Sequence, residues 1–153
     1  MGIADIFLRM IFGVVATFGF AVLFNTPRKA IWIVAALGGA AIGIRTAFTI
    51  LGASPEVATF FAALCIGLVG YLAAYRLWLP RLIFTVTGII PLIPGVPAYQ
   101  VLFHFSQGNV LSGLESAVRV ALITAAIALG LSAARLITDF EQQIGPRQEP
   151  QHH

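Results

Sequence analysis

The sequence predicts an all-α integral membrane protein of about five transmembrane helices, and three observations carry that prediction. Hydrophobic residues make up 59% of the 153 residues, charged residues only 10%, and the mean hydropathy is +0.94. Polar side chains are too few to coat a water-soluble globule, so lipid must solvate much of the surface. Second, the apolar residues fall into five runs, at residues 6–24, 30–51, 57–78, 82–105 and 116–137. Each approaches or exceeds the roughly 20 residues needed to cross a hydrocarbon core about 30 Å thick. Third, the net charge of +3 resides on cations placed mostly between those runs, as expected of membrane anchors and not of a nucleic-acid patch.

The first run is read as a retained span and not a cleaved leader, because no small-x-small site follows it before Asn25-Thr26-Pro27. The first connection carries Arg28 and Lys29, the second (Gly52 to Glu56) carries no cation, Arg76 and Arg81 flank the third, and residues 106–115 again lack Lys and Arg. This alternation puts the first and third connections and the Arg135 end in the cytoplasm and the amino terminus outside. A single transmembrane domain over residues 1–140 is expected, then a short polar, frayed tail at 141–153 whose Gln151-His152-His153 end reads as a tag remnant. The sole cysteine, Cys65, lies in the third run, where it serves as a packing residue with no partner for a disulfide and no ligands nearby for a metal.

Small residues recur four apart in three spans: Gly39 and Gly43, Ala63 and Gly67, and Ala126, Gly130 and Ala134. Each set forms one helix stripe that lets two backbones approach closely. Two uses are open, packing within this bundle and contact with another chain.

The fourth run is unlike the others. It reads Gly88-Ile89-Ile90-Pro91-Leu92-Ile93-Pro94-Gly95-Val96-Pro97-Ala98-Tyr99 in mid-span. Each proline lacks an N–H, clashes with the carbonyl four residues back and biases its predecessor away from helix. The expectation is a half-helix to about Ile90, an extended stretch to about Val96, and a second half-helix with Pro97 at its first position. Carbonyls of Thr87, Ile90 and Ile93 would be freed, and amides near Ala98, Tyr99 and Gln100 would face a cavity. Unpaired backbone in hydrocarbon costs several kcal/mol per group, so such a break must be buried or line water. Opposed half-helix ends of this kind hold anionic groups and coupling ions in secondary transporters; the plainer reading is a kink that shapes the bundle.

Candidate substrate-binding residues are therefore Pro91, Pro94, Gly95, Ala98 and Tyr99, joined by Arg45, an intramembrane guanidinium able to clamp a carboxylate. Arg45 also lies about six residues, or roughly 9 Å, from the outer end of its span and can snorkel there. Auxiliary candidates are Thr85 and Thr87 by their hydroxyls, His104 as a proton relay or an interfacial hydrogen-bonding residue, and Arg119, spaced i, i+4 from Glu115 for an interfacial pair. No His-Glu-x-x-His, Gly-x-Ser-x-Gly or phosphate loop is present and no span holds two carboxylates, so an enzyme or a nucleotide-driven pump is not expected, nor is any cofactor.

Phe24-Asn25-Thr26-Pro27-Arg28-Lys29, Leu37-Gly38-Gly39 with Arg45, and Gly88 through Gly95 with Ala98-Tyr99 together resemble the threonine/serine exporter family, specifically its small, YjjB-type subunit. The resemblance covers nearly the whole chain, with Pro-Leu-Ile-Pro-Gly its most specific part and Pro97 a departure from the family pattern. It implies a bacterial inner-membrane secondary exporter assembled with a companion YjjP-type membrane subunit. It also implies a small zwitterionic or anionic substrate: threonine, serine or a dicarboxylate such as succinate. A structural or assembly subunit that touches no substrate, and a homo-oligomeric transporter or channel, remain open alternatives.

Overall fold

The computed structural model describes residues 3–144. Six α-helices follow one another: α1 (Ile3–Leu23), α2 (Arg28–Ile50), α3 (Pro55–Leu77), α4 (Arg81–Gly88), α5 (Gly95–Ser106) and α6 (Val110–Ile144), with a 3-10 turn (Ile90–Leu92) between α4 and α5. Four of them, α1, α2, α3 and α6, are long and apolar enough to cross a membrane. The pair α4 and α5, bent by 51°, makes a fifth span if counted as one. The chain is thus an all-α membrane protein whose fourth span is broken where the prolines lie.

Left-handed residues close four of the helices. Asn25 (φ 52°) follows α1, Gly52 (φ 88°) follows α2, Trp78 (φ 55°) ends α3 and Gly108 (φ 74°) follows α5. At each, a following amide reaches back five residues, as Thr26 N to Ala21 O at 2.9 Å and Asn109 N to His104 O at 2.9 Å. Such bonds satisfy terminal carbonyls and turn the chain sharply, so short connections suffice. The Ser54 hydroxyl caps α3 by accepting from Val57 N at 3.4 Å, with Pro55 following at the helix start.

Packing answers the question of the small-residue stripes. α1 lies on α2, and α3 lies on α6. Gly38, Gly39 and Gly43 face Thr17, Val14 and Met10 of α1, while Gly67 meets Ala134 and Gly130 meets the Phe60 carbonyl and Ala63. All three predicted stripes are spent inside this bundle. The core is consequently built of small residues such as Ala30, Ala41, Ala62 and Ala63, with Phe84, Ile66 and Leu92 its largest fully buried side chains.

Two boundaries differ from expectation. α6 starts at Val110, not at residue 116, because Gly108 and Asn109 close α5 and the first turns of α6 pack back on it, with Gly113 under the Phe105 ring. At the other end α6 continues as helix to Ile144. Thirty-five residues at about 1.5 Å each give roughly 52 Å, well beyond the membrane core. Residues 145–153, including the histidine end, lie outside the described residues.

Candidate functional site: the broken span and the groove beside it

The break supplies its own hydrogen bonds. Ile89 N donates to Thr85 O at 3.1 Å, Leu92 N to Ile89 O at 2.8 Å and Ile93 N to Ile90 O at 3.1 Å. A cap amide also reaches Thr87 O. Pro94, at φ −77° and ψ 61°, has the dihedrals of an inverse γ-turn, and Gly95 N accordingly donates to Ile93 O at 2.8 Å. The three carbonyls expected to be free are therefore all engaged. Tight i→i+3 and i→i+2 bonds replace the i→i+4 bonds that proline removes.

The second half-helix also departs from expectation. It begins at Gly95, which puts Pro97 third instead of first. Gly95 N and Ala98 N are committed, the latter to Pro94 O at 3.0 Å, and Pro97 has no N–H. The first turn of α5 has at most the Val96 amide to offer; Tyr99 and Gln100 lie beyond it within the helix. Three amides converging on an anion are thus not what this break provides.

Leu92 and Pro94 are buried and Pro91 half-buried, whereas Gly95, Ala98 and Tyr99 are exposed. No atom lies within 4 Å of where a Gly95 Cβ would sit, and α5 has no buried residue. The outer half of the break thus presents itself away from this bundle. Gly88 packs against Ile66 and Leu37, which fixes the break near mid-depth of α2. Arg45 lies eight residues beyond Leu37, about 12 Å along the helix axis. Its electrostatic neighbours are Glu56 and Arg9, so the structure does not bring Arg45 together with the break.

A second feature lies on the other side of α4. A groove of about 620 Å³ runs between α4 and α6 over the surface of α3. Arg81 crosses it, its Nη1 donating to Thr138 Oγ1 at 3.2 Å and to Asp139 Oδ1 at 3.2 Å. Asp139 uses its other oxygen for Arg135, with Oδ2 at 3.5 Å from Nε. The Arg81 guanidinium also sits over the Tyr71 ring, its Cζ 4.0 Å from the ring centre, within cation–π distance. Arg81 and Asp139 side chains are 32% and 45% exposed, which places the bridge among pairs contributing roughly 0–1 kcal/mol. It is therefore a contact that can open at little cost, unlike a buried pair, whose breaking costs about 3–5 kcal/mol.

The family model described as "Threonine/Serine exporter, ThrE" matches residues 9–137, most of the chain. The chain belongs to the threonine/serine exporter family. That description is of a class of membrane exporters and not of an enzyme class. A protein of Haemophilus influenzae described as uncharacterized is similar to this exporter-family chain, 33% identical over 136 residues. The match covers 84% of this chain and 46% of that protein, so the chain spans about half the length of the curated relative it matches. No solved structure matches the chain.

The remaining predicted residues are dispersed through this exporter-family fold. Thr85 lines the groove and donates to the Arg81 carbonyl at 3.1 Å, the ordinary habit of a hydroxyl on a membrane helix. Thr87 is buried and borders a smaller cavity of about 290 Å³ beside Phe24 to Pro27. His104 is half-buried on α5, edge-on to the Phe103 ring at 5.9 Å. Among the described residues, Arg119 and Glu115 form no ion pair. Arg119 acts instead on Glu56, across the α3–α6 seam, because helix contact brings those turns together. Sequence reasoning missed Asp139 and gave Arg81 only a flanking role; the i, i+4 spacing of Arg135 and Asp139 was the one local signal of a charged cluster there.

Proposed function

We propose that this chain is one subunit of a secondary exporter in the bacterial inner membrane. Its cargo is a small carboxylate-bearing metabolite, threonine or serine or a dicarboxylate such as succinate, moved at the expense of an ion or proton gradient. The observation that carries the reading is the break in the fourth span. Non-helical backbone at membrane depth persists where protein or a wet cavity surrounds it, and here its outer half, Gly95, Ala98 and Tyr99, faces away from this bundle. A site built on those residues with Pro91 and Pro94 is half a site. The other half is supplied by a companion YjjP-type subunit, a reading supported by the chain's match to only 46% of a longer relative.

In this account the 51° bend is the hinge. α4 stays with α2 and α3, α6 stays packed on α3, and α5 moves with the companion so that the break opens alternately to either side. Arg28, Lys29, Arg76 and Arg81 lie at helix ends, and Arg135, within α6, shares Asp139 with Arg81, which groups these cations on one side of the bundle. This supports a cytoplasmic location for that side and for the carboxyl end, with the amino terminus outside. Arg45 belongs to the outer charge cluster with Glu56 and Arg9, closer to a snorkelling role than to the break.

The test is efflux of L-threonine, L-serine and succinate from preloaded cells that express the chain alone, the companion alone, or both. Efflux only on co-expression, reduced by Pro94→Ala or Gly95→Val at unchanged membrane abundance, is the expected result. Efflux from this chain alone would establish a homo-oligomeric transporter. Efflux unaffected by either substitution would leave the chain an assembly subunit.

A further inference from the structure

The groove bridged by Arg81 and Asp139 offers opposite charges at one another's reach and hydroxyls beside them. We infer that this bridge is the cytoplasmic loading site for a zwitterionic α-amino acid, with the substrate carboxylate on Arg81 and its ammonium on Asp139. The inference rests on the exporter reading and assigns to named residues the amino-acid cargo that the family description carries.

An α-amino acid carries its two charges on adjacent carbons, so it can insert into a short ion pair and replace one contact with two. Arg81 is prepared for the carboxylate. Its Cζ sits 4.0 Å from the centre of the Tyr71 ring, Nη1 alone serves both Thr138 and Asp139, and a guanidinium can take a carboxylate by two parallel hydrogen bonds. Asp139, with Oδ1 turned to Arg81 and Oδ2 to Arg135, keeps one cation when the first is taken and accepts the ammonium on the freed oxygen. Thr85 and Thr138 lie alongside with hydroxyls already directed to backbone carbonyls, at 3.1 and 3.0 Å, so their oxygens retain acceptor capacity for a substrate hydroxyl.

Charge then discriminates between the candidate cargoes. A dicarboxylate on Arg81 brings its second carboxylate against Asp139, an unfavourable meeting of like charges. A hydroxy acid without an ammonium leaves Asp139 without its new partner. Size agrees as well, since about 620 Å³ lies within the roughly 300–1,000 Å³ of small-molecule sites. The groove floor reaches Gly67 and Leu131, next to Ile66, whose side chain packs against Gly88 at the end of α4. Gly88 lies at the far end of α4 from Arg81, so the break begins about two helical turns from the bridge.

The experiment follows access to the groove by labelling a cysteine at Ser132, which lines it, in a Cys65→Ala background. Inverted membrane vesicles carrying the full chain and its companion are treated with N-ethylmaleimide, with L-threonine, succinate or 3-hydroxybutyrate present, and uptake of L-threonine is measured in the same vesicles. L-Threonine should slow labelling and the other two should not. Asp139→Asn should raise the half-protecting L-threonine concentration at least about tenfold, whereas Asp139→Glu, which keeps the charge, should retain protection. Equal protection by succinate, or L-threonine protection that survives Asp139→Asn, overturns the assignment. So does a loss shared equally by Asn and Glu, which reports altered packing. Uptake without protection overturns the loading site and leaves the exporter reading standing. Protection without uptake does the reverse, and absence of both counts against each.

Discussion

Replacing Gly130 by alanine puts a methyl group where the α3 and α6 backbones touch. The new Cβ would lie 2.6 Å from the Phe60 carbonyl oxygen, 2.9 Å from the Ala63 Cβ and 3.1 Å from the Leu64 nitrogen, against an ordinary contact of 3.4 Å or more. Two of those three atoms are backbone, so no side chain can swing aside, and the helices must part by about 0.8 Å locally. A gap of that size forfeits about a quarter to a half of each dispersion well. Roughly 40 atom contacts along the seam, at about 0.15 kcal/mol each and a loss near one third, give about 2 kcal/mol, within the range of about 1–3 kcal/mol for overpacking. The control is Gly19→Ala on α1, where no atom lies within 4 Å of the added methyl; it should be neutral or stabilising by up to about 1 kcal/mol. Unfolding of both variants in mixed micelles by a denaturing detergent reads the difference. A Gly130→Ala protein within about 0.5 kcal/mol of the parent would refute the close-contact account of the seam.

Two further outcomes follow from the packing. Gly38→Ala drives its methyl into Thr17, a fully buried residue whose hydroxyl has no hydrogen-bond partner. It should destabilise by about 1–3 kcal/mol, whereas Thr17→Ala alone should cost little on the polar side because no bond is lost. The double variant should recover most of the loss, giving a coupling above about 0.5 kcal/mol in a double-mutant cycle; simple additivity would contradict the contact. Ser54→Ala removes the cap of α3 and should cost about 0.5 kcal/mol, the low end for a cap because its 3.4 Å bond is long, measured by the same unfolding titration.

The helices were readable because lipid permits only a few solutions: long apolar runs, short polar connections and cations at the rims leave little besides a helical bundle. The position of the break was equally open to reading, since Pro91, Pro94 and Pro97 cannot all sit in one straight helix. Its chemistry was not. Counting lost i→i+4 bonds at the prolines ignores the shorter-range bonds that a 3-10 turn and the γ-turn at Pro94 put in their place. The start of α6 was missed because Ser112, Gly113 and Glu115 dilute the apolar signal, and what makes that stretch helical is its contact with α5. Arg81 and Asp139 are 58 positions apart, and Asp139 falls beyond the fifth apolar run. Helical periodicity relates residues three or four apart, so no spacing argument pairs these two. Only the packing of α4 and α6 on α3 brings them to one groove.

The claim at the centre of this account is that the chain carries an amino acid across the membrane only as part of a composite transporter. Counterflow tests it most directly. Proteoliposomes loaded with unlabelled L-threonine and containing this chain, the companion, or both are given radiolabelled L-threonine outside, with no gradient other than the substrate's own. The account predicts transient accumulation of label in vesicles with both subunits, lost on Pro94→Ala, and none with either subunit alone. Accumulation driven by the companion alone, or by both subunits irrespective of Pro94, would contradict it.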